Sequence, residues 1–130
     1  MSKHIPDGWH SITPRLVTHD VPQLVQFLRN AFDATGDSSR EPCQLRIGDS
    51  LLMISSSGVR DVMPAFLYLY IEDTDETYRR AVEAGAESLE PPQDTPYGDR
   101  RAMIKDFAGN IWQIATHDEE AFRKFLRDRG

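Results

Sequence analysis

The chain has 130 residues, of which 39% are hydrophobic, a formal net charge of −6 and one cysteine. This length favours one domain, 1–130, with its own core. The negative charge argues against nucleic-acid or membrane-surface binding, which requires a basic patch. A single cysteine excludes an intrachain disulfide and a thiolate zinc cluster, and no apolar run approaches the length of a membrane span. We therefore expect a cytoplasmic protein with neither a nucleic acid nor a membrane as partner.

The first half of the chain predicts a strand, a helix and a hairpin. The alternation of Ile12, Pro14 and Leu16 with the residues between them predicts a strand over 10–18. Asp20, followed by a proline in the first turn, predicts a helix over 21–32. The polar stretch 33–42 has room for a short strand, and a Gly-Asp turn inside 43–54 predicts a hairpin.

The second half predicts the same order of elements. Residues 66–71 indicate a strand, and Asp73 is a helix-capping side chain. The helix ends near Gly85, a residue type favoured at helix C-termini. A short strand over 88–90 and a loop over 91–98 follow.

A hairpin then closes the second half, with strands over 102–104 and 111–115. Gly109 and Asp106 suit the tight turn between them, because glycine accepts positive φ and an aspartate side chain bonds turn amides. Gln113 shares one face of the second strand with Ile111 and Ala115, and Trp112 and Ile114 share the other face. A final helix is predicted over 118–129.

The two halves therefore form an internal repeat with a period of roughly 55 residues. Asp20 matches Asp73, and 51–54 matches 111–114. Module one covers about 10–57 and module two about 65–117. Neither unit alone can enclose a curved sheet face, whereas a pair can.

Four stretches of the sequence carry a family resemblance: Thr13-Pro14-Arg15-Leu16-Val17 with Asp20, Leu45 to Ser50, Tyr97-Gly98-Asp99-Arg100, and Asp106 to Trp112. They resemble the vicinal oxygen chelate superfamily of glyoxalase I, bleomycin-resistance proteins and extradiol dioxygenases. The chain is most similar to the short single-domain glyoxalase-like proteins of bacteria. The resemblance implies an α+β fold of two βαβββ modules, forming a curled mixed sheet around a central cavity with helices on the convex side.

The resemblance also identifies the positions that hold a divalent metal in the enzymes of this superfamily. Counting from Asp20 and Asp73 and along the closing strands gives Thr13, Met53, Phe66 and Gln113. Of these, Gln113 alone is a residue type that the family uses, and hard ions need several oxygen or imidazole donors. We therefore predict no metal site and no cofactor.

The alternation of side chains along the matched strands of the repeat predicts a small-molecule site on the cavity face. Its candidate ligand-binding residues are Thr13, Arg15, Met53, Phe66, Tyr68, Tyr70 and Gln113. The resemblance adds Tyr97 and Arg100, which lie in a stretch similar to a loop that borders the cavity in relatives. Arg15 either meets an anionic ligand or reaches a carboxylate at the rim and is solvated. Arg100 either borders the cavity with Tyr97 or forms a surface turn pair with Asp99. Tyr68 and Tyr70 are either cavity walls or ordinary core or dimer contacts.

Two functions follow from the resemblance, and an unliganded fold used as an interaction module is a third alternative. The first is a small-molecule-binding protein with a metal-free cavity that sequesters a drug or a metabolite, as bleomycin-resistance proteins do. The alternative is a metal-dependent lyase, isomerase or dioxygenase of the same superfamily. No Glu, Asp or His stands at the predicted cavity positions as a general base, which favours the first. Relatives commonly form homodimers, so a homodimer is predicted.

Overall fold

The computed structural model of the chain describes residues 4–58 and 60–129. Its elements, in chain order, are β1 (Arg15–Thr18), α1 (Val21–Phe32), β2 (Thr35–Asp37), β3 (Cys43–Ile47), β4 (Ser50–Ser56), β5 (Phe66–Tyr70), α2 (Thr74–Glu83), β6 (Glu87–Asp94), β7 (Asp99–Lys105), β8 (Ile111–His117) and α3 (Glu119–Arg129). The order βαβββ therefore occurs twice, followed by a helix. The predicted α+β fold of paired modules is confirmed.

The strands form two four-stranded mixed sheets. The first sheet has the order β1-β4-β3-β2 and the second has the order β5-β8-β7-β6. In each, the first strand of the module lies parallel to the last, and the remaining pairs are antiparallel. Within 4–58 and 60–129 the two sheets share no strand pairing, so a single chain presents two separate sheets and not one continuous curled sheet.

Equivalent aspartates begin the two main helices, as the repeat predicts. The Asp20 carboxylate accepts a hydrogen bond from the Gln23 amide at 3.1 Å, and Asp73 accepts one from Glu76 at the same distance. Each carboxylate satisfies an amide that has no partner inside its helix.

The helices and one face of each sheet share a hydrophobic core. It contains Leu16, Leu24 and Leu45 from the first module and Ile104 and Trp112 from the second, all at most 2% exposed. The Phe32 ring of α1 lies 4.9 Å from the Trp112 ring of β8, measured between ring centroids. We call the sheet faces that point away from this core the open faces.

The first strand is shorter than the sequence predicts. It covers Arg15–Thr18 and not 10–18, although Pro14 still accepts a hydrogen bond from the Met53 amide at 3.0 Å. The preceding segment forms a turn in which the Trp9 amide donates to the Pro6 carbonyl at 3.1 Å. A Cβ atom on Gly8 would lie 3.4 Å from Arg46 Nη2, so this turn rests on the open face of the first sheet.

The predicted loop over 91–98 is partly wrong, because β6 continues through its two prolines to Asp94. Proline lacks an amide donor and is tolerated on edge strands and at bulges. Strand β6 is the edge of the second sheet, and its pairing with β7 shifts register between Ser88 and Glu90 and again between Glu90 and Gln93.

The closing hairpin and the final helix are confirmed. Gly109 has φ 89°, and its amide donates to the Asp106 carbonyl at 3.0 Å. Strand β8 places Leu67 beside Trp112 and Tyr68 beside Gln113, the parity that the sequence predicts. In the described part of the chain, no helix combines the length and hydropathy that crossing a membrane requires.

Candidate functional site

The open face of the first sheet carries three of the predicted site residues: Thr13, Arg15 and Met53. Arg15 is exposed and pairs in register with Met53. The Nε atom of Arg15 donates a hydrogen bond to the Ser55 hydroxyl at 3.0 Å. The partner is therefore a hydroxyl group and not the carboxylate at the rim, which was one of the two predicted partners of Arg15. Arg15 and Ser55 line a cleft of about 700 Å³ that Met63 also borders. The guanidinium group is therefore presented to an accessible space.

A second cleft lies where the N-terminal segment meets this face. Its volume is about 560 Å³, and it is lined by Ile5, Pro6 and Trp9 together with Thr13 and Met53. An apolar wall with a few polar groups is the usual composition of a small-molecule pocket. Trp9 was not among the predicted site residues, because no pattern in the sequence links the lead-in to the sheet.

The open face of the second sheet carries Phe66, Tyr68, Tyr70 and Gln113. The exposed fractions are 67% for Phe66, 39% for Tyr68 and 61% for Tyr70. The rings of Tyr68 and Tyr70 are 5.1 Å apart between centroids, and Gln113 pairs in register with Tyr68. Their positions on this face follow the predicted parity, and they form an accessible aromatic surface.

A carboxylate that sequence analysis did not select joins this surface. Asp99, at the start of β7, is 5% exposed. Its Oδ2 accepts hydrogen bonds from the hydroxyls of Tyr68 at 2.5 Å and Tyr70 at 3.2 Å. Its Oδ1 lies 3.1 Å from Nδ1 of His117, whose Nε2 lies 2.7 Å from the Glu119 carboxylate.

This network shifts the pKa values of its members. Burial, followed by the bond to Asp99, raises the pKa of Tyr68 above its ordinary value, and burial and the Asp99 charge raise that of Tyr70. Both phenols therefore keep their protons at neutral pH. The carboxylates of Glu119 and Asp99 raise the pKa of His117 by accepting hydrogen bonds from its ring.

Tyr97 and Arg100, although close in sequence, lie in different surroundings. The Tyr97 hydroxyl accepts a hydrogen bond from Arg101 at 3.4 Å, and Arg101 also pairs with Glu90 at 2.6 Å. Arg100 instead pairs with Asp75 of α2 at 2.9 Å and with Asp94 at 3.1 Å. Successive residues of a strand point to opposite faces, so Arg100 lies away from the open face. It forms ion pairs at the surface, as one of the two predictions had it, but its partners are Asp75 and Asp94 and not the predicted Asp99.

The four positions that the resemblance assigns to a metal do not fit a hard divalent ion. Thr13 and Met53 belong to the first sheet's open face, and Phe66 and Gln113 to the second. A hydroxyl, a thioether, a phenyl ring and one neutral amide do not supply the converging donors that such an ion needs. Among residues 4–58 and 60–129, no three His, Cys, Asp or Glu side chains are grouped to hold a metal.

Two consecutive βαβββ modules, each with an accessible sheet face, define the structural class of this chain. Residues 8–114 match the sequence profile of the Glyoxalase/Bleomycin resistance protein/Dioxygenase superfamily. The match spans most of the chain, so the protein belongs to this superfamily.

The chain is also similar to proteins and solved structures from several bacteria. An uncharacterised protein of Mycobacterium bovis is 27% identical over 124 residues, covering 80% of this chain and 81% of the relative. TioX from Micromonospora sp. ML1 superposes with a TM-score of 0.70 at 21% identity, over 83% of this chain and 98% of TioX. The fosfomycin resistance protein FosX of Listeria monocytogenes gives 0.69 at 19% identity, over 87% and 97% of the two chains. At these identities the superpositions establish a common fold.

Proposed function

We propose that this protein binds a small molecule on its open sheet faces without a metal, and so sequesters a drug or a metabolite. The observation that carries the proposal is the accessible aromatic surface of Phe66, Tyr68 and Tyr70. Large exposed aromatic patches mark ligand or partner surfaces. The donor chemistry of Thr13, Met53, Phe66 and Gln113 favours this function over the metal-dependent lyase, isomerase or dioxygenase.

The proposal includes a homodimer. Phe66 and Tyr70 are 67% and 61% exposed in one chain, and the clefts of the first sheet are likewise open to solvent. A second copy related by a two-fold axis brings the open face of its first sheet against the second sheet of this chain and makes two equivalent sites. The proposed ligand lies between these faces, in the cytoplasm.

Ligand screening by thermal shift tests the binding function, because a ligand of the folded state raises the melting temperature with its occupancy. Hits are confirmed through Trp9, which lines the cleft beside Thr13 and Met53. The other tryptophan, Trp112, is 2% exposed, so a ligand that quenches the fluorescence of the wild type and not of Trp9→Phe is bound at this cleft.

A variant pair assigns binding to the aromatic surface. Phe66→Ser removes its most exposed aromatic side chain, whereas Val82→Ser removes an exposed apolar side chain from α2. Binding that is lost in the first variant and kept in the second supports the proposal. Equal affinity in both variants, or a broad screen without ligands, contradicts it.

Metal analysis of the untagged protein tests the proposal that the ligand is bound without a metal. Protein incubated with nickel, zinc, manganese or iron and then desalted is expected to retain far less than one ion per chain. Stoichiometric retention of one metal contradicts this part and favours the enzyme. Sedimentation analysis of the same samples is expected to give the mass of a dimer.

A further inference from the structure

The hydroxyl groups of the aromatic surface are oriented by a buried acid. Tyr68 and Tyr70 each have one hydroxyl proton, and both hydroxyls donate to Oδ2 of Asp99, at 2.5 and 3.2 Å. A buried carboxylate requires such donors, because an unsatisfied charge away from water is costly. With their protons committed to Asp99, the phenol oxygens are left as hydrogen-bond acceptors, and the Tyr97 hydroxyl is a further neighbour of the Tyr68 oxygen.

The third donor to Asp99 strengthens this orientation. His117 occupies Oδ1 at 3.1 Å while its other ring nitrogen faces Glu119 at 2.7 Å. The imidazole therefore blocks Oδ1, and the two phenols share Oδ2. Hydrogen bonds to a charged acceptor polarise the donor groups, which makes the phenol oxygens better acceptors.

The neighbouring arginine does not reverse this polarity. Arg101 follows Asp99 by two residues in β7, so both side chains lie on the open face of the second sheet. Its side chain is 18% exposed, and its Nη2 lies 2.6 Å from the Glu90 carboxylate. Its Nη1 donates to the Tyr97 hydroxyl at 3.4 Å. The charge of Arg101 is thus offset by the Glu90 carboxylate, although its buried Nε has no hydrogen-bond partner among the described residues.

We infer that the aromatic surface of Phe66, Tyr68 and Tyr70, backed by Asp99, selects ligands that carry a protonated amine. An ammonium group donates hydrogen bonds to the two phenol oxygens and lies against the exposed aromatic rings, which attract cations. A carboxylate or phosphate at the same place meets oxygen lone pairs and is repelled. The inference rests on the proposed function and adds the chemical class of its ligand.

Three probes of similar shape test the selection: benzylammonium, benzyl alcohol and benzoate. Titration monitored by NMR or calorimetry is expected to show benzylammonium binding about tenfold more tightly than benzyl alcohol, a ratio within the range of a cation–aromatic contact with a hydrogen bond. Benzoate is expected to bind most weakly. The resonances that move are expected to be those of β5 and the start of β7.

Substitution of the buried acid tests the mechanism. Asp99→Asn keeps the shape but gives the buried group its own N–H donors, so the phenol protons are free to turn towards the ligand. We expect the preference for benzylammonium over benzyl alcohol to fall about tenfold. Tyr68→Phe removes one acceptor oxygen, keeps the ring and tests the same point if Asp99→Asn does not fold.

Tyr78→Phe is the matched control, because its hydroxyl bonds the Ser88 hydroxyl at 2.6 Å, between α2 and β6. It is expected to bind all three probes as the wild type does. Benzyl alcohol or benzoate binding as tightly as benzylammonium overturns the inference and leaves the proposed function standing. Failure of all three probes to bind also overturns it, and the thermal-shift screen then decides the proposed function separately.

Discussion

The carboxylate of Asp106 accepts a hydrogen bond from the indole nitrogen of Trp112 at 2.9 Å, and both residues are at most 3% exposed. The same carboxylate accepts bonds from the amides of Ala108 and Asn110 at 2.9 and 3.0 Å, and from the Asn110 side chain at 3.0 Å. One acid thus holds the β7–β8 turn and anchors the largest core side chain of the second sheet.

We predict that Asp106→Ala strongly destabilises the protein. The change leaves three buried donors and the partly buried Ala108 amide without this acceptor, and each unsatisfied buried group costs about 1–3 kcal/mol. A loss on the order of 3 kcal/mol or more in the free energy of unfolding is expected, measured by urea titration. Asp49→Ala, at an exposed position in the β3–β4 turn, is the control, and a similar small loss in both variants contradicts the assigned role.

Local features made much of the fold predictable from the sequence. Asp20 and Asp73 have the side chain that a helix start requires, and each cap forms as expected. Alternation along β8 assigns Trp112 to the core and Gln113 to the open face, because the period of a strand is two. The sequence did not predict where β1 begins or that β6 extends to Asp94. Both are edge strands, and the pairing of an edge strand depends on its neighbours and not on its own residues.

The site was less predictable, because its polar part is assembled over long separations. Tyr68 and Asp99 are 31 residues apart, and Asp99 and His117 are 18 apart. The Tyr97-Gly98-Asp99-Arg100 stretch did draw attention to the right loop, but sequence proximity gave no sign that Asp99 is buried while Arg100 points to α2. The parity of β5 was the signal that linked the tyrosines to one face.

Removal of either helix cap is expected to have a similar and independent effect. Asp20→Ala and Asp73→Ala should each lower the free energy of unfolding by about 1 kcal/mol, because each leaves a helix-terminal amide without its acceptor. The effects should add in the double variant, since the caps are in different modules. Asn also caps helices, so Asp20→Asn is the control. A double variant no less stable than either single variant would refute independent caps.

Gly98 lies so close to α3 that a side chain at this position would clash with the helix. Gly98 has φ 95°, and a Cβ atom there would lie 2.6 Å from Cα and 2.7 Å from the amide nitrogen of Phe122. We expect Gly98→Ala to displace α3, seen as faster amide hydrogen exchange over 119–129. Gly85→Ala is the matched control, because Gly85 has φ 108° and no atom of the described residues comes within 4 Å of the added atom. It bears the backbone strain without the clash, so equal exchange in the two variants would argue against a steric cause.

His117 joins the second sheet to α3 through charged groups. The residues that face it are Asp99 from β7, at 3.1 Å, and Glu119 from α3, at 2.7 Å, and Arg123 lies 3.1 Å behind Glu119. The Phe122 ring lies 5.4 Å away between centroids. Both nitrogens of the imidazole face carboxylates, an arrangement that the protonated ring satisfies best, because it donates from both.

The contact of α3 with the sheet is therefore expected to weaken as the pH rises. Hydrogen bonds to Glu119 and Asp99 raise the pKa of His117 above its ordinary 6.5, so the stabilisation is complete below about 6.5 and is lost as the pH passes through the raised value. Amide exchange over 119–129, corrected for intrinsic base catalysis, should show less protection above that pH. In His117→Gln the side chain does not titrate, so protection should be independent of pH across this range. A wild-type profile that matches the variant's at every pH would show that protonated His117 does not hold the helix.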